Sequence, residues 1–174
     1  MKPQRLKENF TIGIFSSSSP ISATVPVRYA RGVHYLESKG LRVVHGQLRG
    51  KADGYRSGTI LARAEEFNRL LYNEDVQVLM AAIGGNNTNS ILPYIDYKYL
   101  KAHPKVIVGY SDTTALLLAV YAKTGLIPLL RPGGGLLLRR ASPVCGQHLR
   151  ELYHPPARRF PPPLRLRDAA GLDG

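Results

Sequence analysis

The chain has 174 residues, enough for one domain with a real hydrophobic core. Its single cysteine, Cys145, excludes an internal disulfide and fits a reducing, cytoplasmic setting. The net charge of +12 raises a nucleic-acid reading, but the distribution works against it. Residues 1–126 carry 16 Lys+Arg against 9 Asp+Glu and residues 127–174 carry 8 against 3, with no RNA-binding signature or zinc-finger spacing. No apolar run is long enough to span a bilayer, and the run from Phe10 to Phe15 is too short for a signal-peptide core.

That same run, apolar and half-alternating, predicts a first strand. It ends in Ser16-Ser17-Ser18-Ser19-Pro20, a loop whose hydroxyl and N–H groups suit an anion or a carboxylate, although an ordinary polar turn has the same composition. Thr24 is placed to cap a helix, with Pro26 in its first turn and Gly40 just past its end. Val27, Ala30, Val33 and Tyr35 or Leu36 form the expected buried stripe, with His34 beside it as a partly buried structural residue.

Leu41 to His45 predicts a second strand. Gly46 to Gly58 sets Arg49, Lys51 and Arg56 among glycines and must be a loop, and one of about a dozen residues inside a domain is often functional. Thr59 caps the next helix, where Leu61, Ala64, Phe67 (or Asn68) and Leu71 recur at helical spacing. Glu65 and Glu66 share that helix with Arg63 and Arg69, and solvated pairing explains them better than acid–base chemistry.

Val76 to Ile83 is nearly all apolar, as expected of a strand buried on both faces. It runs into Gly84-Gly85-Asn86-Asn87-Thr88-Asn89-Ser90, where paired glycines let backbone N–H groups approach a ligand. A short helix around Ile91 to Tyr94 follows, then a helical turn or two from Tyr97 to His103, stopped by Pro104. Lys105 to Gly109 predicts the next strand, which breaks at Tyr110-Ser111-Asp112 and passes into a helix over 113–123. A serine on such a sharp turn is how α/β hydrolases expose a nucleophilic oxygen. The bland alternative is that Ser111 or Asp112 merely caps the helix. The usual elbow is G-x-S-x-G, and Thr113 stands where the second glycine belongs.

Strands and helices alternating in this way predict an α/β fold, a parallel sheet with helices on both faces. Crevices in such sheets lie at the carboxyl ends of the strands. The serine loop, the double glycine and Ser111 all fall there, which favours an active site over coincidence.

Four stretches in order over residues 10–126 resemble the LD-carboxypeptidases, serine peptidases that include the microcin C immunity proteins. They are Ser18-Ser19-Pro20; Gly54-Tyr55-Arg56-Ser57-Gly58-Thr59; Ile83-Gly84-Gly85-Asn86-Asn87 through Ser90 with Leu92-Pro93-Tyr94-Ile95-Asp96; and Gly109-Tyr110-Ser111-Asp112-Thr113-Thr114. The Ile-Gly-Gly-Asn-Asn form is closer to the microcin-immunity branch than to the branch that trims cell-wall peptides. The resemblance implies a Rossmann-like or flavodoxin-like N-terminal domain and a Ser–His–Glu hydrolase without metal or other cofactor. Its substrates would be peptides or peptide conjugates with a free carboxylate. Ser111 would be the nucleophile, and the N–H groups of Asp112 and Gly85 would hold the oxyanion, leaving the Asp112 side chain free to cap its helix. Arg56 or the serine loop would hold an anionic group, and a homodimer is common in the family.

In that family the glutamate and histidine come from a second, C-terminal domain. Here the composition changes after residue 126: residues 127–174 hold 8 of the 13 prolines and no lysine, threonine or asparagine. The expected division is a nucleophile domain over 1–126 and a Pro/Arg/Gly-rich tail over 127–174, disordered or frame-shifted, with the second domain absent. His148, His154 and Glu151 lie in that tail and are not nominated as partners of Ser111. Little or no peptidase activity is therefore expected of the chain alone. The competing readings are a non-catalytic small-molecule or peptide binding domain and a basic protein acting through the Arg/Pro tail.

Overall fold

Five parallel strands form one sheet in the order β2-β1-β3-β4-β5. They are β1 (Thr11–Phe15), β2 (Arg42–His45), β3 (Val78–Ala81), β4 (Val106–Gly109) and β5 (Leu129–Leu130). The helices between them are α1 (Ile21–Thr24), α2 (Pro26–Glu37), α3 (Ile60–Tyr72), α4 (Tyr97–Ala102) and α5 (Thr114–Thr124), with 3-10 turns at Thr88–Tyr94 and Ser111–Thr113. The computed structural model describes Leu6 and residues 9–130, so the expectations for residues 131–174 lie outside the described residues.

Period-two alternation sorts the strand residues onto two cores. Ile12, Ile14, Val78, Met80, Val106 and Val108 face a cluster closed by Ile21 of α1 and by Tyr29, Val33 and Leu36 of α2. Phe15, Leu79, Ala81 and Ile107 face the other, closed by Ala64, Phe67 and Leu71 of α3, Leu100 of α4 and Leu116 and Val120 of α5. Phe15 and Phe67 meet edge to face at 5.1 Å across the second interface. The expected α/β sheet with helices on both faces is therefore the observed one.

Several local expectations change. Thr24 does not cap α2: it ends the one-turn α1, and its Oγ1 donates to the Pro20 carbonyl at 3.1 Å. Val25 stands at the cap without a side-chain bond, and Pro26 follows at the first position, where a missing N–H costs nothing. The buried stripe of α2 is Tyr29, Val33 and Leu36, while Val27 is 64% exposed and Ala30 and His34 face solvent. Tyr29 can be buried because its hydroxyl bonds His45 Nδ1 at 2.8 Å. Thr59 does cap α3, accepting from Ala62 N at 3.2 Å, but Leu61 points outward. The sheet also continues past residue 126, because Leu129–Leu130 pairs with β4 as its fifth strand. The composition break at residue 127 thus falls in the crossover before β5.

Candidate active site

In this strand order the crossovers reverse direction between β1 and β3, which opens a crevice at their carboxyl ends. The serine loop leaves β1 there and the glycine-asparagine loop follows β3. The Ser111 turn leaves β4, the next strand along.

Ser111 holds φ at 56°, a left-handed conformation that non-glycine residues seldom adopt. Such a conformation costs on the order of 1–3 kcal/mol and persists only where the surroundings impose it. Neither Ser111 nor Asp112 caps α5: Thr113 occupies that position, and no side-chain cap bond is made. The helix-cap alternative fails, and the exposed Ser111 side chain sits on a strained strand-to-helix turn. Thr113 in place of the second glycine is accommodated from the strand side. A Cβ on Gly109 would lie 2.5 Å from Thr113 Cγ2, so the bare α-carbon is what lets α5 start so close to β4.

Gly84 faces the same turn. A Cβ there would lie 3.0 Å from Ser111 Cβ, 3.1 Å from Asp112 N and 3.3 Å from Ser111 Oγ, so the bare α-carbon is what lets this buried backbone approach the turn so closely. Gly85 packs instead on the serine loop, where a Cβ would fall 2.1 Å from Ser18 Oγ. Ser18 Oγ accepts from Asn86 N and Asn87 N, and Ser19 N donates to the Gly84 carbonyl at 3.2 Å. The serine loop is thus filled by its neighbour's backbone.

The Asp112 side chain does not cap its own helix. Its Oδ2 accepts from Asn87 N (3.0 Å), Thr88 N (2.9 Å) and Thr88 Oγ1 (2.7 Å), capping the 3-10 turn Thr88–Tyr94 across the crevice. Thr88 Oγ1 also reaches Ser17 Oγ, which lies 3.3 Å from Thr113 Oγ1. These fully buried hydroxyls join the loops of β1, β3 and β4 beneath Ser111.

Two charged residues that read as solvated are in fact buried. Arg63 and Glu66 on α3 are each 1% exposed. The Arg63 guanidinium donates to the carbonyls of Gly58 (3.1 Å), Ser17 (2.6 Å) and Asn87 (3.2 Å), to Asn87 Oδ1 (2.6 Å) and to Ser90 Oγ (3.0 Å). Burial and then the Arg56 charge pull its pKa below the ordinary value, while Asp112 works the other way. Glu66 accepts from Ser16 N at 2.6 Å and Leu48 N at 2.8 Å, and burial raises its pKa in spite of those bonds. The missed signal was the spacing: Arg63, Glu66, Phe67 and Leu70 stand at i, i+3, i+4 and i+7, which is a buried stripe by period.

The loop over 46–58 is tied down, with Ser57 N on the Ser18 carbonyl, Ser57 Oγ on the Ser16 carbonyl and Gly50 N on Ser22 Oγ. Arg56, expected as an anion holder, is paired with Asp53 at 2.9 Å and lies over the Tyr55 ring. His45, at the end of β2, is three strand spacings from β4, about 14 Å. Burial and then Arg49 lower its pKa, and its Tyr29 partner is pushed up to about 12, mainly by burial. His103 precedes β4 and stacks on Tyr99 at the opposite end of the sheet. Among the described residues no histidine stands beside Ser111, and no group of His, Cys, Asp and Glu is arranged to hold a metal.

The profile of the LD-carboxypeptidase N-terminal domain matches residues 12–130. The microcin C7 self-immunity protein MccF of Escherichia coli is 57% identical over 122 residues, covering 70% of this chain and 36% of that protein. A Vibrio cholerae protein that carries the name of a carboxypeptidase is 54% identical over 121 residues, again 70% of this chain and 36% of its own length. The solved structure of wild-type MccF without ligand superposes with a TM-score of 0.81 at 44% identity, covering 92% of this chain and 48% of that one. An MccF-like protein from Bacillus anthracis gives a TM-score of 0.80 at 26% identity, covering 88% and 47%. The chain thus spans about a third of the length of these curated relatives. By the matched region and these identities, the chain belongs to the LD-carboxypeptidase N-terminal domain family.

Proposed function

We propose that residues 9–130 are the nucleophile domain of a serine hydrolase of the LD-carboxypeptidase type. It would act on amide bonds in peptides or peptide conjugates that carry a free carboxylate. The observation that carries this reading is Ser111 at φ 56° on the turn after β4, with the Gly84 backbone packed close beside its Oγ and beside Asp112 N. Ser111 attacks the carbonyl carbon, and the oxygen that becomes negative is held by the N–H groups of Asp112 and Gly85. Two preorganised donors of this kind are worth a few kcal/mol of barrier lowering.

The preferred substrate class is a peptide–nucleotide conjugate. MccF, the relative at 57% identity, has been solved with aspartyl sulfamoyl adenosine and glutamyl sulfamoyl guanosine bound. A cell-wall tetrapeptide is the second class, since a Bacillus subtilis protein that carries the name of a murein peptide carboxypeptidase is 30% identical over 131 residues. With one cysteine, and no helix among the described residues long and apolar enough to cross a membrane, the proposed setting is the cytoplasm.

A serine hydroxyl without a general base is a poor nucleophile. Our reading is that the described domain supplies the nucleophile and the oxyanion donors, and that neither His148 nor His154 activates Ser111 in the 174-residue chain. The test pairs isothermal titration with aspartyl sulfamoyl adenosine and a hydrolysis assay on the same compound and on an LD-linked tetrapeptide. The expected result is binding with turnover roughly 10⁴-fold below MccF, and no labelling of Ser111 by a fluorophosphonate. Hydrolysis near the MccF rate that Ser111→Ala abolishes would overturn the idle-serine part. Hydrolysis that survives Ser111→Ala would overturn the assignment itself.

A further inference from the structure

The guanidinium of Arg63 bonds neither Ser111 nor Gly84, yet it bridges three of the segments that build the crevice. It reaches the end of the basic loop at Gly58, the serine loop at Ser17 and the glycine-asparagine loop at Asn87 and Ser90. All of its acceptors are neutral, and among the described residues it has no carboxylate at ion-pair distance. A buried arginine is held here for its planar fork rather than for charge pairing.

One arm of the fork closes on Asn87 and the other on Ser90 Oγ. Arg63 Nη1 donates to both the carbonyl and the Oδ1 of Asn87, while Asn87 N donates to Asp112 Oδ2 on the opposite side. Asn87 is thus clamped between a guanidinium and a carboxylate. Gly85 lies two residues upstream of that clamp, and Asp112 is the residue whose carboxylate completes it. Asn87 is therefore linked to both residues whose N–H groups the Ser111 reading assigns to the oxyanion, through the chain to Gly85 and through a carboxylate bond to Asp112.

We propose that Arg63 is the positioning residue of the oxyanion loop, setting Gly85 and Asp112 against Ser111 through Asn87. The proposal rests on the nucleophile reading above and adds a residue that lies outside the reacting atoms.

Amide hydrogen exchange by NMR on the full 174-residue chain tests it, in the wild type, Arg63→Met and Arg63→Lys. In R63M the Asn87 and Thr88 amides should exchange at least about tenfold faster and the Gly85 and Asp112 amide signals should shift. The Leu79, Met80, Ile107 and Val108 amides of the sheet should stay within about twofold of the wild type. R63K should keep a bond to the Ser17 carbonyl but lose the fork, leaving Asn87 and Thr88 faster than wild type by about threefold or more. Loop amides that keep their protection, or sheet amides that lose theirs in step, would overturn the proposal. If R63M does not fold, R63K decides between the same outcomes. Exchange reads loop order whether or not the chain hydrolyses anything, so hydrolysis that survives Ser111→Ala would count against the nucleophile reading alone.

Discussion

On α3 the Glu65–Arg69 pair lies in solvent, with Arg69 Nη2 2.6 Å from Glu65 Oε1, whereas Arg63 and Glu66 are each 1% exposed and do not pair with one another. The inner two spend their hydrogen-bonding capacity on the main chain instead. Arg63 takes carbonyls of Ser17, Gly58 and Asn87, and Glu66 takes the N–H groups of Ser16 and Leu48. Those groups belong to loops at the carboxyl end of the sheet; the Asn87 carbonyl also accepts from Ser90 N at 3.3 Å and Ser90 Oγ at 2.7 Å in its own turn. Buried backbone groups must find partners somewhere. The inner polar face of α3 does for these loops what a ladder of hydrogen bonds does for the strands.

The largest effect should come from deleting the inner cation. Arg63→Met takes the donor from the Ser17 and Gly58 carbonyls, while the Asn87 carbonyl keeps Ser90 N and Oγ, at about 1–3 kcal/mol for each buried group left unpaired, partly offset by no longer burying a charge. A net loss of about 3 kcal/mol in urea unfolding is expected. A loss below about 1 kcal/mol would mean that water replaces the guanidinium and that the loops hold themselves.

Glu66→Gln sharpens the comparison through pH. The amide can accept only on one side, so either Ser16 N or Leu48 N faces an NH₂ group, at a cost of about 1–3 kcal/mol. Because burial raises the Glu66 pKa above its ordinary 4.5, the folded chain binds more protons than the unfolded one between those two values. Wild-type stability should therefore fall as pH rises through that window and flatten above it, and E66Q should lack this fall. The stability of the wild type minus that of E66Q, followed by urea unfolding across the window, should decrease with pH. An increase would mean that the two backbone bonds outweigh burial and that the carboxylate is favoured.

The same contrast separates what the sequence carried from what it did not. Strands read well because period two and apolar runs are local: Val78 to Ala81 and Val106 to Gly109 fall inside the predicted segments, buried throughout. The Ser111 turn was legible for a similar reason, since a glycine, a serine and a following helix are contiguous. Arg63, Glu66 and the Asp112 cap were not. Apart from Gly58, their partners lie 18 to 50 residues away, and although helical spacing marks the buried face, nothing local says which distant main chain will meet the charges there. The phase of α2 was misread because Tyr29 is buried on the strength of a bond to His45, which the pattern of Val27 and Ala30 conceals. The two-residue β5 has too few residues to show any period.

The outer pair completes the comparison with the smallest effect. Glu65 and Arg69 stand at i and i+4, their side chains 54% and 66% exposed, and their attraction is weakened by water and salt. A double-mutant cycle with Glu65→Ala and Arg69→Ala should give a coupling of about 0.3–0.5 kcal/mol that fades towards zero by about 1 M salt. Arg69 Nε and Nη2 both donate to the single oxygen Glu65 Oε1, and that contact holds two side chains that would otherwise be mobile. The distinction is then physical rather than numerical. The outer pair can be removed because water takes its place. Arg63 cannot be removed so cheaply, because one of its acceptors, the carbonyl of fully buried Ser17, lies where water reaches only if the loops around Ser111 open.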